Sequence, residues 1–221
     1  MFLQGICLQD KQAMKSFVIA SCIGILGVLS ASAQETPRFT FDIGGGFTTP
    51  VGNTGRQLNN GWNVGAGFGM NFSSVIGAKI DVGVSSMGIN SNTLANIGVP
   101  AGDVRVLTAT LDPVVHLTPH HHVDLYLTGG GGLFHIYQQF TQPAVGVTDV
   151  FNPFFGLYPV TYPANEILSS YSVNKPGFDV GGGMAIGAWG HGKLFMEAKW
   201  EHAFLSNSHV DYLPVTFGFR W

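Results

Sequence analysis

Apolar and polar residues alternate in the closing stretch YLPVTFGFRW, with Leu213, Val215, Phe217, Phe219 and Trp221 on one face and Tyr212, Thr216, Gly218 and Arg220 on the other. Successive side chains of a strand point to opposite sides, so this period of two predicts a β-strand with one apolar face. The pattern recurs upstream. RFTFDIGGGF sets Phe39, Phe41, Ile43 and Phe47 against Arg38, Thr40 and Asp42, and GWNVGAGFGMNF sets Trp62, Val64, Ala66, Phe68, Met70 and Phe72 against Asn63, Asn71 and interleaved glycines. VIGAKIDVGVS places Ile76, Ala78, Ile80, Val82 and Val84 opposite Lys79 and Asp81. GFDVGGGMAIGA places Phe178, Val180, Met184 and Ile186 opposite Asp179, and KLFMEAKWE places Leu194, Met196, Ala198 and Trp200 opposite Glu197, Lys199 and Glu201. Two runs that alternate less cleanly, VLTATLDPVV with Asp112 and VDLYLTGGGGLF with Asp124, bring the predicted strands to eight.

The connections between these segments alternate in length. They read long (51–60), tight (Ser73-Ser74), long (88–103), short (118–122), very long (138–176), short (189–191) and medium (204–211). Short turns at one end and longer loops at the other are the layout of a bacterial outer-membrane barrel with both chain termini on the periplasmic side. The predicted fold is all-β, an eight-stranded antiparallel up-and-down transmembrane barrel. A soluble sandwich or lipocalin-type barrel also alternates, but it turns its bulky face inward to fill a core. Here the bulky face is uniform, while the opposite face is largely glycine, asparagine and isolated charges. Facing the bulky side to lipid accommodates both.

Composition agrees. Only 10% of residues are charged, 31 are glycine and mean hydropathy is +0.24, which is unusual for a soluble globule. The N-terminus supplies a reason for export. Met14-Lys15-Ser16, the apolar FVIASCIGILGVLS and Ala31-Ser32-Ala33 have the charged start, apolar core and small-residue exit of a signal peptide, with cleavage expected after Ala33. Residues 1–33 are read as an N-terminal extension plus this leader, with Met14 as an alternative start, and 34–221 as one barrel domain. Cys7 and Cys22 both fall in the leader, so the mature chain is expected to have no disulfide or cysteine-ligated metal. From Gln34 onward there are 12 acidic and 8 basic residues, a mild acidity that argues against nucleic acid as a partner.

With these features in hand, the chain from Arg38 to Trp221 resembles the small eight-stranded outer-membrane barrels of the OmpA and OmpX type. Its closing Phe217, Phe219 and Trp221 resemble the aromatic C-terminal signal read by the barrel-assembly machinery. The resemblance implies residence in the bacterial outer membrane, contact with its lipid, passage through periplasmic chaperones and the assembly machinery, a monomeric state and no cofactor. It implies a structural or surface-interaction role without a catalytic centre. An eight-stranded barrel is just wide enough for side chains to fill. The charges assigned to the inner face are Arg38, Asp42, Lys79, Asp81, Asp112, Asp124, Asp179, Glu197, Lys199, Glu201 and Arg220. They are expected either to form a buried ion-pair network or, helped by inward glycines such as Gly67 and Gly183, to line a narrow pore for ions or small polar solutes.

Three further features bear on chemistry. WEHAFLSNSH offers Glu201, His202, Ser206, Ser208 and His209, yet Phe204 stands where a lipid-A deacylase has the serine of its His-x-Ser pattern, so a lipid-modifying enzyme is the weaker alternative. His120, His121 and His122 are adjacent residues in a turn and fan in different directions, without the spacing that aims ligands at one metal. Gly129 to Gly132 follow a strand but lead into LFHIYQQF, with neither the helix nor the lysine a phosphate loop needs. The segment 138–176 is the larger oddity. It is long, rich in proline and aromatic residues, and carries only Asp149, Glu166 and Lys175 as charges. It is expected to cap the barrel mouth, to bury Phe151, Phe154, Phe155, Tyr158 and Tyr162 in its own cluster, or to present them to an extracellular ligand.

Overall fold

The structure, a computed structural model, describes residues 38–119, 121–189, 192–206 and 208–221. The expected leader, both cysteines and His120 lie outside the described residues. Eight strands follow in chain order: β1 Phe39–Pro50, β2 Leu58–Asn71, β3 Ile76–Ile89, β4 Ala101–His116, β5 Val123–Asn152, β6 Gly156–Trp189, β7 Gly192–Phe204 and β8 His209–Arg220. Each pairs antiparallel with its sequence neighbours, and β1 closes on β8 from Asp42↔Arg220 to Pro50↔Tyr212. The up-and-down barrel read from the alternation is therefore the fold. Its outer wall carries the bulky set: Phe39, Phe41, Phe68, Ile80, Leu111 and Phe219 are each about half exposed. An apolar ring of this extent is stable facing hydrocarbon rather than water, which makes the molecule a transmembrane β-barrel.

Local chemistry sets the ends of the strands. At the tight end, Ser73 Oγ accepts from the backbone N–H groups of Val75 and Ile76 at 3.2 and 3.0 Å, closing β2 onto β3. Thr118 does the same for β4 and β5, donating to the Val123 carbonyl at 2.8 Å and accepting from Leu125 N at 2.7 Å. At the opposite end the expected loop 88–103 contains a short helix, α1 (Ser91–Ile97). Asn90 caps its start through Asn92 N, and Gly98, at φ 69°, stops it in the left-handed region open to glycine.

The largest difference from expectation is the segment 138–176, which is strand rather than loop. β5 and β6 continue as a paired ribbon until Asn152↔Gly156, while β4 leaves β5 at Ala101↔Thr141 and β7 leaves β6 at Gly177↔Ala203. Residues 142–152 and 156–166 thus pair only with each other. At ~3.3 Å per residue this arm reaches about 35 Å beyond the other strands. Its tip is a turn whose chemistry is local: Asn152 Oδ1 accepts from Phe154 N at 2.9 Å, and Gly156 supplies φ 75°. Prolines such as Pro143, Pro159 and Pro163 are tolerated in the arm because a two-stranded ribbon has outer edges without ladder partners.

The interior is layered. Along β4 the inward residues run Val104, Val106, Thr108, Thr110, Asp112 and Val114, and all are buried. The upper part belongs to an apolar cluster with Met87, Ile89, Phe134, Ile136, Ala203 and Tyr212, into which Leu94 of α1 also packs. A second, smaller cluster of Val114, Tyr126, Ala185 and Phe195 lies toward the tight-turn end. Alternation alone predicts a polar inner face throughout; instead, charges occupy the middle and buried apolar clusters lie toward both ends. The imperfect alternation of VLTATLDPVV and VDLYLTGGGGLF marks where both faces of the wall are apolar.

Candidate functional site

The charged middle of the lumen is built around two lysines on facing parts of the wall. Lys79 Nζ of β3 lies 2.8 Å from Glu197 and 2.9 Å from Asp81. Lys199 Nζ of β7 lies 2.5 Å from Asp81, 2.5 Å from Asp112, 3.1 Å from Asp179 and 3.7 Å from Glu197. Arg220 makes a two-pronged contact with Asp42, both bonds 2.7 Å, and so joins the last strand to the first. This geometry has both partners planar and both hydrogen bonds in register. Tyr126 ties the two groups together: its hydroxyl donates to Glu197 at 2.8 Å and accepts from Arg220 at 3.2 Å, and the guanidinium stands 4.6 Å from its ring. Asn63 performs a similar service without charge, donating to the Phe47 and Val215 carbonyls and accepting from Thr216.

Nine of the eleven charges assigned to the lumen thus stand together in the middle: Asp42, Lys79, Asp81, Asp112, Asp179, Glu197, Lys199, Glu201 and Arg220. Two do not. Arg38 is exposed at the entrance to β1, where its carbonyl accepts from Asn71 N and its side chain joins none of the described ion pairs. Alternation places it on the inner face, but β1 only begins at Phe39, one residue later. Asp124 is buried but sits near the tight turn, where its carboxylate meets His116 Nδ1 at 2.7 Å. Tyr126, Tyr212, Asn63 and His116 are not singled out as site residues by the sequence, although each falls on the inner face of an alternating segment. Polar residues without formal charge were the signal available.

Glycines give the network its room. Gly130 N donates to Asp179 Oδ1 at 2.8 Å, and a Cβ at Gly130 would run into the Leu111 carbonyl and the Asp112 carboxylate. The run Gly129 to Gly132 is therefore wall that brings backbone close to charge. Between the β1, β2, β3, β7 and β8 walls lies a cavity of ≈ 70 Å³ bordered by the carboxylates of Asp42, Asp81, Glu197 and Glu201 and by the ammonium groups of Lys79 and Lys199.

The ribbon presents the aromatic set directly. Phe154 and Phe155 are 88% and 82% exposed, and Phe151, Tyr158 and Tyr162 also lie open. Neither a cap over the barrel mouth nor a self-buried cluster describes residues this exposed. On the outer wall near β7's end, His202 Nδ1 bonds Asp211 at 2.5 Å and His209 Nε2 approaches the same carboxylate at 3.2 Å. Phe178, Trp200 and Phe204 surround the His202 ring. Ser206 and Ser208 are engaged elsewhere, with Lys175 and with the His209 carbonyl. At the C-terminus, Phe217, Phe219 and Trp221 face outward, each about half exposed. Trp62 is likewise outward, as an interfacial aromatic girdle requires, whereas the side chain of Trp189 lies outside the described set.

No protein-family model matches the sequence, and no curated protein matches it. Solved structures do match in shape. A major outer membrane protein from Thermus thermophilus aligns over 83% of this chain and 98% of its own, at 11% identity and a TM-score of 0.54. Neisserial surface protein A aligns over 83% and 96%, at 12% identity and a TM-score of 0.53. A closed, lipid-facing ring of eight strands defines a class, the small transmembrane β-barrels. Within it, this chain has the fold of the small outer-membrane barrels to which those two proteins belong.

Proposed function

We propose that this protein is a closed, non-conducting barrel of the bacterial outer membrane that holds an aromatic ribbon away from the membrane for surface interaction. The observation that carries the reading is the pairing of a blocked interior with an exposed arm. Two apolar clusters flank an ion-pair layer in the lumen, while Phe151, Phe154, Phe155, Tyr158 and Tyr162 remain open at the far end of the ribbon. An apolar surface kept exposed at that distance is costly in water unless something covers it, which is the usual mark of an interaction site. The arm lies opposite the tight turns, hence on the extracellular side of the membrane in the ordinary orientation of such barrels. Phe217, Phe219 and Trp221 are read as the segment presented to the assembly machinery, and the chain as a monomer in lipid.

Conductance tests the closed lumen. The refolded chain in a planar bilayer is expected to give no steady channels; reproducible unitary steps would establish the narrow-pore alternative. The arm is tested separately. Deleting residues 144–164 and joining the shortened strands with a tight turn is expected to leave the heat-modifiable barrel on gels while abolishing attachment of expressing cells to surfaces that the parent binds. Undiminished attachment would remove the arm from the reading.

A further inference from the structure

The arm carries its most open apolar side chains at its apex. Phe154 and Phe155 occupy the turn itself, while Phe151 and Leu157, 69% and 70% exposed, face each other one pair below the closing Asn152↔Gly156. Tyr158, paired with Val150, follows one step further down and is partly open. The backbone at this apex is self-contained. Phe154 N donates to Asn152 Oδ1 at 2.9 Å, Phe155 N donates to the Asn152 carbonyl at 3.3 Å, and Pro153 has no N–H to satisfy. Charge is absent from the apex as well. No side chain from 150 to 165 is charged, and the whole arm, 142–166, carries Asp149 and Glu166 but no lysine, arginine or histidine.

We infer that the apex from Phe151 to Tyr158 inserts into an apposed lipid bilayer with zwitterionic headgroups. Hydrocarbon admits a backbone whose polar groups are satisfied within the segment, a condition that the turn meets and that docking on a wet protein surface does not impose. The ribbon's unpaired outer edges limit the depth, because N–H and C=O groups without partners stay in the headgroup layer. Two residue steps of ~3.3 Å put Tyr158 about 7 Å behind the apex, within the ~5–10 Å over which an interfacial segment reaches the acyl boundary and at the level where an aromatic ring with a polar tip is favoured. Charge selects the lipid class. With Asp149 just behind Phe151 and no cation on the arm, an anionic bilayer repels it and a neutral one does not. A protein partner suits the apex less well: four side chains at ~150 Å² each offer roughly 600 Å², short of the about 800 Å² per partner in a stable protein interface. The arm reaches about 35 Å beyond the other strands, so the bilayer it meets is a second one rather than the one that holds the barrel.

This inference rests on the reading of the arm as a surface-interaction device and names its partner. The test reconstitutes the full chain in lipid nanodiscs, which cover the barrel wall, and measures the fraction that sediments with sucrose-loaded phosphatidylcholine vesicles. The parent is expected to sediment with them. Phe154→Ser combined with Phe155→Ser is expected to weaken that binding at least tenfold, since burial of one phenylalanine is already worth about that factor. Heat-modifiable mobility on gels shows that the variant barrel is folded. Replacing a third of the vesicle lipid by phosphatidylglycerol is expected to lower the parent's binding at low ionic strength. Phe154→Trp is expected to be quenched by brominated lipid placed in the vesicles, beyond any quenching of the parent's own tryptophans. A parent that ignores the vesicles, a double variant that binds them as well as the parent does, or stronger binding to the anionic vesicles overturns the inference. The two readings fail separately. If the double variant loses cell attachment while the parent ignores vesicles, the apex belongs to a protein partner and the surface reading stands. If the parent binds vesicles through its apex while deletion of the arm leaves cell attachment undiminished, the attachment reading falls and the lipid contact stands.

Discussion

Lys199→Met is expected to destabilise the refolded barrel by about 3–5 kcal/mol, the range seen when one partner of a buried ion pair is deleted. The methionine fills much of the same volume, so the loss is chiefly of charge. Asp81, Asp112 and Asp179 each keep their burial or half-burial and lose the ammonium group 2.5 to 3.1 Å away. Urea unfolding in detergent micelles, followed by tryptophan fluorescence and by mobility of unboiled samples on gels, measures the change. Lys199→Met combined with Asp112→Asn is expected to recover part of it, since Asp112 is fully buried and one surplus charge is thereby removed. A single variant as stable as the parent would show that the ion pairs contribute nothing net to the barrel, and the double variant separates that outcome from lost packing.

The second large effect concerns the apolar layer above the charges. Phe134 is completely buried, and its ring fills the space left by Gly177, where a Cβ would collide with it. Phe134→Ala is expected to cost about 3–5 kcal/mol, the sum of lost apolar transfer and the cavity left behind. Phe134→Leu is expected to lose much less, because most of the volume stays. If the ring instead faced lipid, as a strict polar-inside rule implies, both substitutions would be nearly silent in the same unfolding measurement. The contrast between the two layers is informative. Loss of Phe134 removes packing from a layer that tolerates some relaxation, whereas loss of Lys199 leaves Asp112 and Asp179 without another cation among the described ion pairs, Asp81 keeping Lys79.

The wall of this molecule is legible in its sequence for a simple reason. A strand between lipid and a filled interior repeats every two residues, and that period survives as a one-dimensional pattern wherever one face is uniformly bulky, as in YLPVTFGFRW and KLFMEAKWE. Strand number, antiparallel order and the inward placement of Asp42, Lys79, Asp112, Glu197, Lys199 and Arg220 all follow from it. The same period misassigns Arg38, because alternation does not mark where pairing begins. It also hides the inner plug, since Val104, Val106 and Phe134 look like any other apolar residues until the ring closes around them. The segment 138–176 reads as loop because proline and turn residues outweigh a weak alternation. It becomes a ribbon because two such segments, each unconvincing alone, pair along their whole length.

Sequence by itself therefore determined a lipid-facing eight-stranded ring, the side of the wall on which most charges lie, and the aromatic close of the chain. Tertiary structure decided which charges meet. Asp42 and Arg220 are 178 residues apart and become neighbours only when β8 closes on β1. Lys199 gathers carboxylates from β3, β4 and β6 because the circumference brings distant strands to one height. Ring closure is a long-range event that local periodicity does not encode, so the gathering of these charges around Lys79, Lys199 and Arg220, and the cavity beside Glu201, emerge only in the folded barrel.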